Sequence, residues 1–573
     1  MSLLLAALSL GAAPQEHVRV DGEAAVRYLL GCRRENGAFG PPDRPYTDLA
    51  WTYPAVHGLL LLGEKIPDPE LCLRNGRSAE TRTKTWSLHQ KARLNALLGG
   101  PPPVAAGKAW TLERRDRKNY EEPFAVGAYF DLESLWHMAS ALAHAGGTFA
   151  NAAEIEAFVR ARQAPGGGFA ETRDPGPADA QAHLLPSAHA ALVLSLLGRE
   201  VPRAAEWIRS CQDESGGFRG RPGSDAPEDA PDVWFAHAAV RALKALGSRP
   251  RDPEACARWL DGLQNADGGF GDRPGWASRI YATFYAVHAL ADLTGDARKA
   301  IRPKERRAAA AAIPDGLSIF QAHHKSPPGG AEMADQARAM GFHLLGVKSN
   351  APDAPPGSLQ AARARATEKG YPLELLDCPE QYDYRLRWLD GQPADHVANF
   401  LVPAELSDAQ RAALDAADRA GRQGLGWAEF SERVVAPVVA LGTLFYPEHD
   451  FTMTNAYRVY GEGGFNAVHA AHFNGPDRIR LYPYRERWLG RLPFIADGDA
   501  HGDMAKWADR MRDIRTLYIA RGHGLADYLE ACRSGRTVCV LRSPKPPETL
   551  TYYGAPETVA YVKARLGTWA WWK

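Results

Sequence analysis

A glycine-rich turn closed by phenylalanine recurs along the first half of this chain, and it constrains the fold more than any other feature. It reads ENGAF at Gly37 and Phe39, APGGGF at Phe169, DESGGF at Phe218 and NADGGF at Phe270. The last three phenylalanines follow one another at about fifty residues, the length of a helical-hairpin repeat. Helical segments such as EIEAFVRARQ, AAEWIRSCQ and CARWLDGLQ precede the turns. A second set of apolar segments runs to a glycine in each case, at Gly63, Gly99, Gly147, Gly198, Gly247 and Gly295. Glycine directly after a helix accepts the left-handed backbone that ends it. Six hairpins close an α/α ring whose inner helices line a funnel, whereas the same packing without closure gives an open solenoid. The expectation is an all-α α6/α6 toroid over residues 18–295.

The last repeats carry a family resemblance. GGFGDRPGWASRIYATFYAV, from Gly268 to Val287, is similar to protein prenyltransferase β subunits, including the D-[RK]-P-G turn at Asp272, Arg273, Pro274 and Gly275. CQDESGGFRGRPG, from Cys211 to Gly223, resembles the repeat before it. The toroid thus resembles the prenyltransferase and squalene-cyclase family. In zinc-dependent members that resemblance implies an Asp and a Cys two residues apart on one inner helix and a His on the next, because zinc must hold the acceptor thiol as thiolate. Asp232 falls at the Asp position, but Trp234 replaces the Cys and Ala282 the His, and one ligand of three cannot hold zinc. The DxDD acid of triterpene cyclases and the GCGEQ thioester motif are absent from the sequence.

Equivalent positions on equivalent helices face the same way. Counting back ten residues from the terminal glycines gives His89, His137 and His237, with His189 nine back. Trp51, Trp136, Trp234, Tyr281 and Tyr285 fall near that level, and Asp232 stands at the lost metal position. These ten residues are the candidate toroid pocket, a polar ring in an aromatic cavity. The alternative is that they only pack helix on helix.

Past Gly295 the pattern changes. Residues 296–312, DARKAIRPKERRAAAAA in large part, read as a linker, and from Ile313 to Lys573 strand-like and helix-like segments alternate. GLSIFQAHH, FHLLGVKS, PLELLDCP, HVANFLVP, VALGTLFYP, FNAVHAAHF, LPFIADGDA and RTLYIA are expected strands, which predicts an α/β domain built on a parallel sheet or barrel. The order of His and Asp at the strand ends resembles the polymerase-and-histidinol-phosphatase metallohydrolases. Gln321-Ala-His323 stands where that family has H-x-H, and Asp499-Ala-His501 resembles its closing D-x-H. The resemblance implies His323, Glu380, His396, Asp499 and His501 as candidate metal residues. Gln321, Lys348-Ser349 and Tyr446 replace expected ligands, so the domain is expected to be degenerate and to hold at most one divalent ion or none.

Composition narrows the partners. Lys plus Arg equals Asp plus Glu at 68 each, which leaves no net field for nucleic acid. No stretch of the mature chain has the apolar length of a membrane span. Residues 1–13, MSLLLAALSLGAA, read as a signal peptide and imply export to the periplasm or beyond, with a cytoplasmic location if they are not a signal. Seven scattered cysteines form neither a zinc framework nor a disulfide scaffold. The functions left are a non-catalytic toroid binding an isoprenoid or other apolar ligand or a protein, and an enzyme of unassigned catalytic residues. The enzyme would be a divergent hydrolase in the C-terminal domain or a prenyl-processing activity without zinc.

Overall fold

The computed structural model describes residues 21–42, 47–76, 84–115, 125–171, 182–295, 313–326, 329–348, 356–379, 398–403, 405–447, 466–472, 486–488, 491–497, 513–543 and 549–566. Its first half is a closed ring. Six inner helices, α2 (Leu49–Leu61), α4 (Lys84–Leu98), α5 (Leu132–His144), α7 (Leu184–Leu196), α9 (Val233–Ala245) and α11 (Ile280–Thr294), pack each on the next, and α11 returns onto α2. Outer helices α1 (Gly22–Gly31), α3 (Pro69–Asn75), α6 (Ala152–Arg160), α8 (Ala204–Ser210) and α10 (Pro253–Asp261) stand behind them. The third hairpin departs from expectation. Among the described residues it has no outer helix, and the short strands β1 (Ala109–Trp110), β2 (Glu113–Arg114), β3 (Ala128–Tyr129) and β4 (Thr148–Phe149) stand in that stretch as two parallel pairs.

The glycine turns are the joints between repeats. A Cβ at Gly216 would lie 2.2 Å from the carbonyl of Ala255 on α10, and one at Gly268 would lie 2.2 Å from that of Ala24 on α1. A glutamine before each of the last three turns, Gln163, Gln212 and Gln264, staples the joint. Gln212 Nε2 donates to Gly216 O (3.1 Å) and to Asp252 O (2.7 Å) of the following repeat. Gln264 Nε2 does the same to Gly268 O (3.0 Å) and Asp21 O (2.8 Å), and its Oε1 accepts from Asp21 N (2.7 Å). Because Asp21 begins the first repeat and Gln264 lies in the last, that staple is the closure. The helix-ending glycines take positive φ at Gly63, Gly99, Gly198, Gly247 and Gly295, but in the third repeat Gly146 rather than Gly147 does so. Gly147 lies where a Cβ would meet Leu142 O at 2.9 Å.

The second half is a mixed sheet with helices. All eight expected segments form strands: β5 (Ser318–Ser326), β6 (Leu344–Val347), β7 (Glu374–Asp377), β8 (Ala398–Phe400), β9 (Phe445–Pro447), β10 (Val468–His472), β11 (Phe494–Asp497) and β12 (Ile514–Ala520). Strands β10, β11, β5, β6 and β7 run parallel. The all-parallel expectation fails at β12, which is antiparallel to β5, and beyond it at β13 (Thr537–Ser543) and β14 (Thr549–Gly554), which continue antiparallel. Five residues separate β13 from β14, and only an antiparallel ladder accepts so short a connection. No helix among the described residues is long and apolar enough to cross a membrane.

Candidate functional site

The inner helices enclose a cavity of ≈ 710 Å³ counted out to its open mouth. His89, Trp136, His137, His189, Trp234, His237, Tyr281 and Tyr285 line it. Trp51 and Asp232 do not. Both lie at the rim where the inner helices begin: Asp232 caps α9 by accepting from Trp234 N (3.1 Å), and Trp51 Nε1 donates to Glu486 Oε2 (2.8 Å). A residue in the first turn of an inner helix reaches the rim because its side chain leans toward the helix N-terminus.

A belt of imidazoles crosses the cavity at mid-height. Ring centroids are 5.2 Å apart for His89 and His137, 6.2 Å for His137 and His189, 5.0 Å for His237 and His288, and 4.8 Å for His288 and His57. Each inner helix thus gives one histidine. His57 and His288 were not among the expected residues, because Tyr53 and Tyr285 hold the equivalent level in the first and last repeats. The histidines follow one turn deeper, at i+4 from Tyr53 and i+3 from Tyr285. Burial, the main cause, pushes the imidazoles of His57, His89, His137, His237 and His288 well below their ordinary range, and neighbouring imidazoles or the guanidiniums of Arg93 and Arg241 add to it. Burial alone takes His189 down to about 4. The belt is therefore neutral at pH 7, able to donate one hydrogen per ring.

Arg93 and Arg241 lie on the same deeper turn, at i+4 from His89 and His237, and line the cavity. The H-x-x-x-R spacing was readable in the sequence. Arg241 Nη1 reaches His288 Nε2 at 3.3 Å, and desolvation, with the field of Arg93 added, lowers its pKa to about 10. Gln90, donating to the hydroxyl of Tyr281, Trp86, stacked on Tyr281 at 5.9 Å, Tyr53, Phe284 and Glu133 complete the lining named here.

Glu486, Arg487, Trp488 and Arg491 of the second half pack on the rim. Arg487 and Arg273 both donate to Asp232 Oδ2, the latter at 3.1 Å. Arg487 also stands 3.9 Å from Asp272, whose carboxyl is held below its usual range, against its own desolvation, by Arg279 and Arg487. Trp488 packs on Trp276 at 5.4 Å, and Arg491 Nη2 donates to Gly275 O at 2.6 Å. Zinc does not fit here. The retained carboxylate of Asp232 is occupied by two guanidiniums, and Trp234 and Ala282 supply no donor.

In the sheet, His323 is fully buried on β5, with its Nδ1 donating to Ile514 O (3.2 Å). Burial brings its pKa to about 3, although that carbonyl opposes the shift. Glu380, His396, Asp499 and His501 lie outside the described residues. Strand β11, which leads to Asp499, pairs with β5 through Asp497 and His324. His324 Nε2 meets Tyr528 OH at 2.7 Å, and Tyr446 OH lies 3.6 Å from Cys378 Sγ. Arg515 donates to Gln321 at the lost first histidine, and Lys348 is fully buried. Among the described residues no group of three or more His, Cys, Asp or Glu is arranged to hold a metal ion.

Residues 2–101 and 227–316 match the family model of the prenyltransferase alpha-alpha toroid domain. The N-terminal half is thus a prenyltransferase-like toroid, and the chain is multidomain, joining it to a mixed α/β region. The match begins inside the apolar segment read as a signal. Among solved structures, the chain is similar to Candida albicans protein geranylgeranyltransferase-I complexed with GGPP, at 17% identity and TM-score 0.37 over 49% of this chain and 93% of that one. It is also similar to a two-domain protein from Bacteroides vulgatus containing a predicted PHP-like metal-dependent phosphoesterase, at 14% identity and TM-score 0.28 over 41% and 69%. A type II terpene cyclase from Scytonema is similar at 19% identity and TM-score 0.24 over 49% and 76%. No curated protein matches the chain.

Proposed function

We propose that the toroid, residues 18–295, is a binding domain for an elongated, largely apolar ligand of isoprenoid type, held in the funnel without zinc chemistry. In this reading the C-terminal domain, residues 313–573 after a 296–312 linker, is a degenerate metallohydrolase fold that closes the rim, and the protein is exported by residues 1–13. The observation that carries the reading is the cavity itself. It lies between the six inner helices, and indoles and phenols form much of its wall. Flat faces of this kind take up unsaturated hydrocarbon by dispersion and by removing it from water. The rim supports absence of zinc-thiolate chemistry, because Asp232 is already paired with Arg273 and Arg487.

The test is titration of the full chain with a C15 polyprenyl alcohol, followed by the fluorescence of Trp86, Trp136 and Trp234. Saturable one-to-one binding, weakened by Phe284→Ala, is expected. A flat titration overturns the reading, and so does stoichiometric zinc that disappears in Asp232→Ala.

A second reading, a divergent hydrolase, has one observation in its favour. Strand β11, which leads into Asp499-Ala-His501, is paired at its end with the strand of His323. Calorimetric titration with Mn²⁺ decides it: one site lost in Asp499→Ala supports it, and no heat refutes it.

A further inference from the structure

The funnel has two chemically different ends. Toward the rim its polar groups are Glu133, Gln90 and the Tyr281 hydroxyl, each near the start of its inner helix or paired with a group that is. At the opposite end, one turn below the histidine belt, Arg93 on α4 and Arg241 on α9 come from diametrically opposed inner helices, second and fifth of the six.

Neither arginine makes an ion pair within 4.0 Å among the described residues. Arg93 rests its guanidinium over the Tyr53 ring at 5.8 Å, and its Nε is buried with no hydrogen-bond partner. Arg241 contacts only the ring nitrogens of His288, at 3.3 and 3.4 Å. Asp292, the one carboxylate whose field reaches Arg241, is held by Lys244 at 2.6 Å. Between the two arginines lie His57 and His288, so that α4, α2, α11 and α9 present an arc of two guanidiniums and two imidazoles. On the belt above, His89 Nδ1 and His189 Nδ1 are also buried without partners, on residues only 9% and 7% exposed.

Two like charges facing one another in a poorly hydrated cavity are unfavourable unless a counter-charge joins them. No side chain of the arc supplies one. We infer that Arg93 and Arg241 are the headgroup site of the funnel: the ligand is an amphiphile with a terminal oxyanion, carboxylate or phosphate, bound anion-deep, with its unsaturated body against the aromatic wall nearer the rim. Guanidiniums grip such an oxyanion with paired N–H donors. The orientation follows from the position of the cations. The rim offers no comparable site, since Arg273, Arg279 and Arg487 are committed to Asp232 and Asp272. This inference rests on the funnel-binding reading above and fixes the ligand class and direction within it.

The test compares three C15 polyprenyl probes of one chain length, the alcohol, the carboxylate and the monophosphate, on the full chain by calorimetry. The wild type should bind one or both anions at least about tenfold more tightly than the alcohol, and which anion wins tells carboxylate from phosphate. Arg93→Gln and Arg241→Gln should each bring that ratio to within about threefold, and Arg93→Lys should restore part of it. Unchanged circular dichroism and a thermal midpoint no lower than that of the wild type certify the fold of each variant. Equal binding of alcohol and anions by the wild type overturns the headgroup site but leaves the funnel reading standing. Failure of all three probes overturns both. A ratio that survives both glutamine variants, or that collapses in Arg273→Gln instead, places the anion elsewhere and refutes the inference.

Discussion

The rim and the deep end of the funnel use the same side chain in opposite electrostatic settings. At the rim, Arg273 and Arg487 meet the fully buried Asp232, and Arg279 meets Asp272. Deeper along the inner helices, Arg93 and Arg241 line the cavity, and among the described residues neither makes an ion pair. An arginine whose charge is answered by the fold holds the fold together, and one whose charge is not answered is available to a ligand. The rim pairing also joins the two halves of the chain, because Arg487 belongs to the second half and Asp232 to the first. A position that the family resemblance marks as a metal site has become an interface.

The sharpest way to break this comparison is Asp232→Asn. It leaves the buried guanidinium of Arg487 and the half-buried one of Arg273 without this carboxylate, and a loss of roughly 3 kcal/mol in guanidinium-induced unfolding is expected; a loss under about 1 kcal/mol would show the rim pairs to be ornamental. At the deep end the sign should reverse. Arg241→Met removes an uncompensated charge and is expected to raise the stability of the ligand-free protein by about 1–2 kcal/mol, read as a higher denaturant midpoint.

The histidine belt tests the same low-dielectric cavity through pH. The folded-state pKa of His189, about 4, lies below the unfolded value, so the unfolded chain binds the proton first. Its contribution is complete above pH 6.5 and is lost progressively as pH falls toward 4. One unit below 6.5, the wild type should have lost about 1 kcal/mol more than His189→Gln, measured by urea melts at pH 7.5 and 5.5. The smallest effect is expected at a cap. Gly99 has φ 73° and open space around an added Cβ, so Gly99→Ala should cost only the left-handed strain, about 1 kcal/mol in the same assay.

Repetition made the ring legible. The six glycine-terminated helices, the level of the belt at His89, His137, His189 and His237, and the eight strands of the second half are local patterns that recur or alternate. What did not repeat was missed. The outer helix of the third hairpin is replaced by short strands, Gly146 rather than Gly147 takes the left-handed turn, and β13 and β14 follow antiparallel after a run of parallel strands. His57 and His288 escaped because tyrosines occupy their repeats' equivalent level. Arg93 and Arg241 were visible at i+4 from histidines, but only as charges on helices, which are usually solvated.

The sequence by itself determined the turns, the helix ends and the face each inner helix presents, since these depend on backbone geometry within a few residues. It also determined that Trp234 and Ala282 cannot ligate zinc. Only the tertiary structure decided what Asp232 does instead, because its partner Arg487 lies 255 residues away and no local rule connects them. Likewise only closure of the ring, through Gln264 and Asp21, sets Arg93 and Arg241 on opposite walls of one cavity. Pairing of buried charge is a property of the space between elements, and that space exists only once the chain has folded.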